Sequence, residues 1–468
     1  MATKQQADNP YTRGMAAFIA GLRYEDIPAA VRARIKLLIL DALGCGIYAA
    51  GLEWSRILID ALSVLDASRG CGVWGTGCRL SAPHAALANG TLVQGFEIDD
   101  VFRRSPMHVG AVTLPPLFAV AEIRPGMSGR KFLTAAVAGY EIGPRVALCM
   151  GLEHIGQGWH SGATAGVFSA AAASAAALGL DAGRTVHALG IAGTQAAGLM
   201  AAQYGAMVKR MHAGRAAQSG LYGGLLAENG FTGITDVFES PYGGFCTTFS
   251  RSEDRFNLAE LTSGLGERFD TMDVYLKFYS CAGPIHTTLD AIRELRAERP
   301  FSADEVEQVI VHVSQIAKEH CGWEYRPQGV TSAQLNMSYC VATLLLEGEV
   351  FVDQFSEEMV ADPARLALLK RVEVMPDAEI TGRGRAFRHM ARVEIRLQDG
   401  SILRKTVEKR PDEGAFTGEE RVAQKFRTLA RHMLPAEQVS RLEEAVLNLE
   451  QLADVRPLAQ LLAKKPAA

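Results

Sequence analysis

The chain has 468 residues, 48% hydrophobic and 21% charged, with a formal net charge of -4, the balance of an ordinary globular protein with room for about two to four domains. That charge leaves no basic field for nucleic acid and no polybasic arm for a membrane surface. The eight cysteines are scattered singly with no C-x-x-C pair, so neither a zinc site nor an iron–sulfur cluster is supported, and a cytoplasmic chain with reduced thiols is expected.

The first residues, MATKQQADNPYTRGM, are polar and lack the charged-then-apolar layout of a signal peptide. Over residues 24–51 apolar side chains recur at three- and four-residue spacing, which predicts a helix with Asp26 as its N-terminal cap. Residues 82–94, 129–150, 164–178 and 182–197 read as further helices, several rich enough in Ala and Gly to approach closely in a buried bundle. The most apolar run, 163–178, is too short and alanine-dominated for a membrane span and is expected as a buried helix. After about residue 270 the pattern changes. Residues 309–313, 371–375, 391–397 and 402–407 are strand-like by alternation or β-branched content, and Asp399-Gly400 marks a hairpin turn between the last two. Helices at 286–298 and 332–346 complete a smaller α+β unit. From Gly418 a helical pattern returns through Phe426, Leu429, Met433, Leu442 and Val446, and the final AKKPAA is expected to fray. The fold class is therefore mostly α with a smaller α+β domain, the last helices returning to the first bundle.

Four islands concentrate ionisable groups among glycines and small residues. The first, GFEIDDVFRRSPMHVGAV, holds Glu97, Asp99, Asp100, Arg103, Arg104 and His108. The second, GQGWHSG, sets His160 just before the alanine-rich helix. The third, MVKRMHAGRAA, carries Lys209, Arg210, His212 and Arg215; the fourth, LKFYSCAGPIH, carries Lys277, Tyr279, Cys281 and His286. Singly, each has a bland explanation. A loop histidine can sit at the surface, Lys209 and Arg210 can line a solvated helix face, and Asp99 and Asp100 can cap a helix. Jointly, lysines, arginines and histidines without a metal motif suit a small substrate bearing several carboxylates. Cations hold the carboxylates, and histidine moves protons near neutral pH. No G-x-G-x-x-G after a strand, no G-x-x-x-x-G-K-[ST], no H-E-x-x-H and no G-x-S-x-G occurs.

In this order the islands resemble the MmgE/PrpD family, which includes 2-methylcitrate dehydratase, cis-aconitate decarboxylase and iminodisuccinate epimerase. The resemblance runs through LDALGCGIYAAG, ANGTLVQGFEIDD, VAGYEIGPRV, GWHSGATAGVFSAAAASAAALGL, KRMHAGRAAQSG, LKFYSCAGPIHTTLDAI and SAQLNMSYCVATLL. It implies a discontinuous all-helical domain, 1–271 and 412–468, with an α+β lid domain at 272–411 between. It also implies a homodimer, no metal, no organic cofactor, and an active site in the cleft between the domains. The family's acidic segment falls on Glu97, Asp99 and Asp100, and its histidines on His108, His160 and His286. Its lysines fall on Lys209 and Lys277, and Tyr339 falls in a Q-x-x-x-x-Y segment. Three places depart from the family pattern. D-F-D-D-T-H becomes Glu97-Ile98-Asp99-Asp100-Val101-Phe102, H-P-[ST] becomes His108-Val109-Gly110, and Ser280 stands for a proline after the lid lysine.

The resemblance implies a cofactor-independent lyase on a small polycarboxylate, first of all a hydro-lyase of the 2-methylcitrate dehydratase type. An epimerase or a decarboxylase on a related dicarboxylate is the alternative, and a non-catalytic dimeric metabolite-binding protein is the alternative from another class. His160 or His108 is the expected acid–base group, and Lys209 and Lys277 hold carboxylates. Asp99 and Asp100 orient a partner, while Glu97, Arg103, Arg104, His212, Arg215, His286 and Tyr339 are expected to contact substrate.

Overall fold

The alanine- and glycine-rich segments do form a tightly packed helical bundle. The computed structural model describes residues 9–409 and 418–464; the expected boundary at 411–412 and most of the AKKPAA tail lie outside them. The structure is 59% helical and 9% strand. Its principal helices are Ala29–Ala49, Ala82–Val93, Val109–Ile123, Gly129–Met150, Gly166–Leu178, Ala182–Gly193 and Val208–Glu228. Small residues set how closely they cross. A Cβ on Gly90 would lie 2.7 Å from the Gly214 Cα, and one on Gly214 would meet the Leu87 carbonyl. Overpacking of this kind costs about 1–3 kcal/mol. The crossing matters because it carries Lys209 and Arg210 to the C-terminal end of the 82–93 helix, where Glu97 follows. The apolar segment Ser161–Leu178 is 89% buried in the bundle.

Two details differ from the sequence reading. Asp26 does not cap the long helix; it pairs with Arg23 in a separate 3-10 turn, Tyr24–Asp26, and the helix begins at Ala29. Pro28 forces the preceding Ile27 into extended backbone, which separates the two. The helix expected at 332–346 is two, Val330–Gln334 and Met337–Glu347, because the Asn336 side chain accepts from the Tyr339 N–H and caps a new start.

Between residues 306 and 407 lies a four-stranded sheet in the order Val372–Pro376, Val306–Val313, Ala391–Leu397, Ile402–Val407. The first pair is parallel and the other two are antiparallel. Val309, Val311 and Val313 alternate inward with Val393, Ile395 and Leu397, against the helices His286–Glu298 and Met337–Glu347. Two hydrophobic clusters result. One draws on residues from Met15 to Leu276 and again from Val422 to Leu462. The other is built chiefly from Tyr279 to Val407, with Phe96 and Ile98 reaching into it. The first charged island therefore sits where the two clusters meet.

Candidate active site

The first island does several separate jobs in 14 positions, 97–110. Glu97 takes a left-handed backbone, φ 56°, a conformation that costs a non-glycine residue about 1 kcal/mol or more. The turn aims its carboxylate inward. There it accepts hydrogen bonds from Lys209, from Arg210 at 2.8 Å and from Lys277 at 3.0 Å. Lys277 also donates to the Glu97 carbonyl at 3.2 Å. Lys209 and Arg210 are only 5% and 1% exposed, so they form a buried cation cluster rather than a solvated helix face. Burial opposes the charged form of Glu97, but Lys209, Lys277 and Arg210 hold its carboxyl well below the ordinary range. Burial and Arg210 lower the Lys209 ammonium, opposed by Glu97; Lys277, also buried, is raised by Glu97 and Asp99.

Asp99 and Asp100 act behind the cavity wall. Asp99 Oδ2 lies 2.9 Å from His108 Nδ1, which leaves Nε2 as the other ring atom available to a substrate. Asp100 accepts from the Gly110 N–H at 2.9 Å and from the Tyr140 hydroxyl at 2.7 Å. It thereby pins the first turn of the Val109–Ile123 helix, whose N-cap is His108. The glycine in His108-Val109-Gly110 follows from this: a Cβ on Gly110 would sit 2.8 Å from the Tyr140 oxygen and 3.0 Å from Asp100. Both acids are thus engaged by groups of the protein, and neither lines the cavity.

Burial, with Asp99 and Asp41 nearby, pushes the Asp100 carboxyl up to about 7. A carboxyl raised above its unfolded value of about 3.9 stabilises the fold at low pH and loses that contribution as pH rises through about 7. Asp100→Asn should therefore flatten the fall in melting temperature between about pH 4 and about pH 7; parallel curves for variant and parent would refute the assignment. Glu141, also raised to about 7 by burial, is untouched by the substitution, so the flattening should be partial.

A cavity of about 140 Å³ opens beside these groups, lined among others by Glu97, Val101, His108, His160, Lys209, Lys277, His320, Arg388 and His389. Five of the expected site residues, Glu97, His108, His160, Lys209 and Lys277, thus share one wall system. The His108 and His160 rings are 6.4 Å apart, and the His160 backbone N–H is fixed by the Gly198 carbonyl at 3.1 Å. Burial, Lys209 and His212 push the His160 imidazole well below its usual value, so it is neutral at neutral pH. His212 stands behind it, Nδ1 to Nδ1 at 3.3 Å.

Other expected contacts go elsewhere. Arg103 pairs with Asp273 at 2.6 Å, and Arg104 with Asp270 at 3.0 Å. Beside them Val101–Phe102 forms a two-residue ladder with Val274–Tyr275. The apolar pair that replaces the family's threonine and histidine is thus a buried strand, and the two arginines tie down the segment leading to Lys277. Arg215 is exposed, on the outer face of its helix. His286 lies 3.2 Å from the Cys281 carbonyl and edge-on to Tyr279, away from the cavity. Tyr339 is wholly buried against Met359 and Arg365.

The segment holding Tyr339 reaches the site through Gln334 instead. Its oxygen accepts from Arg210 at 2.9 Å and its amide donates to the Phe96 carbonyl at 2.9 Å. Ser280 donates its hydroxyl to the same carbonyl at 3.2 Å and its N–H to Val350 at 3.0 Å. A proline there has no N–H to give, which accounts for the departure. His320, Arg388 and His389 escaped the sequence reading because no glycine-flanked island marks them; Arg210 and Gln334 lay inside quoted motifs but were given no role. Among the described residues no group of three or more His, Cys, Asp and Glu side chains is arranged to hold a metal ion.

This constellation can hold carboxylates on buried cations while an oriented imidazole handles a proton. Comparison with known proteins agrees in family. Residues 13–257 match the MmgE/PrpD N-terminal domain and residues 279–451 the MmgE/PrpD C-terminal domain. The chain is 35% identical to a cis-aconitate decarboxylase-like protein of Aspergillus oryzae and 35% identical to the cis-aconitate decarboxylase of Aspergillus terreus, each match covering 98% of both chains. It is 27% identical to the human cis-aconitate decarboxylase over 96% of this chain and 94% of that one. With both domain models matched along most of its length, the chain belongs to the MmgE/PrpD family.

Proposed function

We propose that this protein is a lyase of the cis-aconitate decarboxylase type. The names its relatives carry favour decarboxylation over the dehydration expected first, and the Glu97-centred cation cluster facing the Asp99–His108 pair is the observation that carries the reading. For an unsaturated tricarboxylate, breaking the bond to the departing carboxylate releases CO₂; its electron pair forms a new double bond to the adjacent carbon, and the pair of the old double bond moves to its far carbon. A proton taken up at carbon completes a dicarboxylate. In this chain Lys209 and Lys277 hold retained carboxylates. His108, fixed through Nδ1 by Asp99, is the proton donor through Nε2. His160, neutral, accepts or relays a hydrogen bond. Leu152, Ile155, Met200, Ile316 and Leu335 supply an apolar wall against which a departing carboxylate is poorly solvated.

The test offers purified protein cis-aconitate and, separately, 2-methylcitrate. The expected result is CO₂ release from cis-aconitate, with one solvent deuterium fixed in the dicarboxylate product when the reaction runs in D₂O. Loss of water from 2-methylcitrate without CO₂ from cis-aconitate would overturn the reading in favour of a dehydratase.

A further inference from the structure

The turn at Glu97 belongs to neither helix nor strand, so its buried carbonyls need donors from elsewhere. Side chains supply them at three successive residues. The Phe96 carbonyl accepts from Gln334 and Ser280, the Glu97 carbonyl from Lys277, and the Ile98 carbonyl from Lys425 at 2.6 Å. The first donors lie between residues 277 and 334. Lys425 lies 327 positions from Ile98, on the helix Glu419–Ala430 that returns to the bundle.

The LDALG stretch at residues 40–44 brings that lysine into reach. A Cβ on Gly44 would sit 3.2 Å from the Phe426 Cα, so the glycine lets the return helix approach, and Lys425 precedes Phe426. Asp41, one turn before Gly44, is wholly buried and pairs with the Lys425 ammonium at 2.5 Å. Burial raises the Asp41 carboxyl, and Lys425 opposes this. The same ammonium lies 5.6 Å from the centre of the Phe278 ring, which the Arg421 guanidinium covers at 3.8 Å; Phe278 follows Lys277 in the chain. One buried side chain thus touches the backbone between Glu97 and Asp99 and the residue beside Lys277. Neither Asp41, Ile98 nor Lys425 lines the cavity.

Ile98 separates the two acids that do different work. Glu97 turns to the cations and Asp99 to His108, and the backbone between them sets both directions. Glu97 is left-handed, φ 56°, a conformation that a non-glycine residue keeps only where its surroundings fix it. We propose that Lys425 is a positioning residue: by holding the Ile98 carbonyl it aims Glu97 at its cations and Asp99 at His108. The C-terminal helix then completes the site without touching the substrate.

This rests on the lyase reading above, and the experiment separates the two. Lys425→Met alone leaves Asp41 buried without its partner, which lowers stability whatever the lysine does for the site. The deciding variant therefore pairs Lys425→Met with Asp41→Asn and removes both partners. Lys36→Met is the control. Lys36 stands on the same helix as Asp41 and donates to the Leu447 carbonyl at 2.6 Å and to Glu450 at 3.0 Å, a similar tie to the C-terminal segment that does not reach the 97–110 stretch. On whichever of cis-aconitate and 2-methylcitrate the parent turns over, kcat should fall about 10- to 100-fold in the paired variant, the effect of a misplaced reacting group, and stay within about threefold in Lys36→Met. The ring nitrogens of His108, isotope-labelled for NMR and identified by their loss in His108→Asn, should shift in the paired variant and not in Lys36→Met. Either parental kcat or unmoved His108 resonances in the paired variant would overturn the proposal. So would a kcat loss in Lys425→Met that the added Asp41→Asn restores, because the lysine then only balances a charge. A parent that turned over neither substrate would overturn the lyase reading and leave the His108 resonances to decide the role of Lys425.

Discussion

Replacing Glu97 by glutamine should lower the melting temperature of the free protein, remove most of the turnover, and make the protein unusually responsive to a bound polycarboxylate. Lys209, Arg210 and Lys277 converge on this one side chain, which is 2% exposed. An amide leaves them buried without a counter-charge, and breaking a buried ion pair by removing one partner costs about 3–5 kcal/mol. A ligand carboxylate that lands among the same cations restores the missing charge. The rise in melting temperature on adding a saturating tricarboxylate should therefore be larger in the variant than in the parent. The parent should also lose stability on the acid side. A carboxyl held below its unfolded value of about 4.3 stabilises the fold above that pH and loses this as pH falls; the variant lacks that loss. Equal melting temperatures and equal ligand responses would show that the cations do not depend on Glu97.

Asp99→Asn should lower kcat by about 10²- to 10⁴-fold, the usual worth of a positioned acid–base group, with little change in KM. The carboxylate 2.9 Å from His108 Nδ1 fixes which ring nitrogen carries a proton toward the cavity; an amide can present its N–H to that nitrogen and reverse the tautomer. His108→Asn should cost as much, and the double variant little more than either single one, because groups acting as a unit are not additive. Steady-state kinetics of the three variants checks this. Additive losses, or a His108→Asn enzyme with full activity, would move the proton chemistry to His160.

Much of this was legible in the sequence because the same physics acts locally. The 391–397 strand buries every second residue and meets the 402–407 strand at Asp399-Gly400, whose glycine takes φ 84°. Five cavity residues were legible because their islands carry the family's spacing. What was not legible depends on which face a side chain turns to. Lys209 and Arg210 look like a solvated face until Gly90 and Gly214 bring two helices together and bury them. Arg103 and Arg104 read as substrate ligands because the acids that claim them, Asp270 and Asp273, lie more than 160 residues away, at separations of 170 and 166. His320 and Arg388 come from the stretch that carries the four-stranded sheet, and only the fold brings them to the cavity that His108 lines.

The stretch from Glu97 to Gly110 carries its information in intervals as much as in residue types. Glu97 must reach three cations, Asp99 must face His108, and Asp100 must face Gly110, while Val101 and Phe102 hold register against Tyr275 and Val274. The Phe102 N–H closes the loop on the Met107 carbonyl at 2.9 Å. A shift of one residue in a strand turns every side chain to the opposite face. In genetic terms, a codon lost or gained inside this segment dismantles the site even when every charged residue survives. A glutamate in place of an aspartate at its start is, by contrast, a change the longer side chain absorbs. Kinship among such sites is therefore better sought by spacing than by identity.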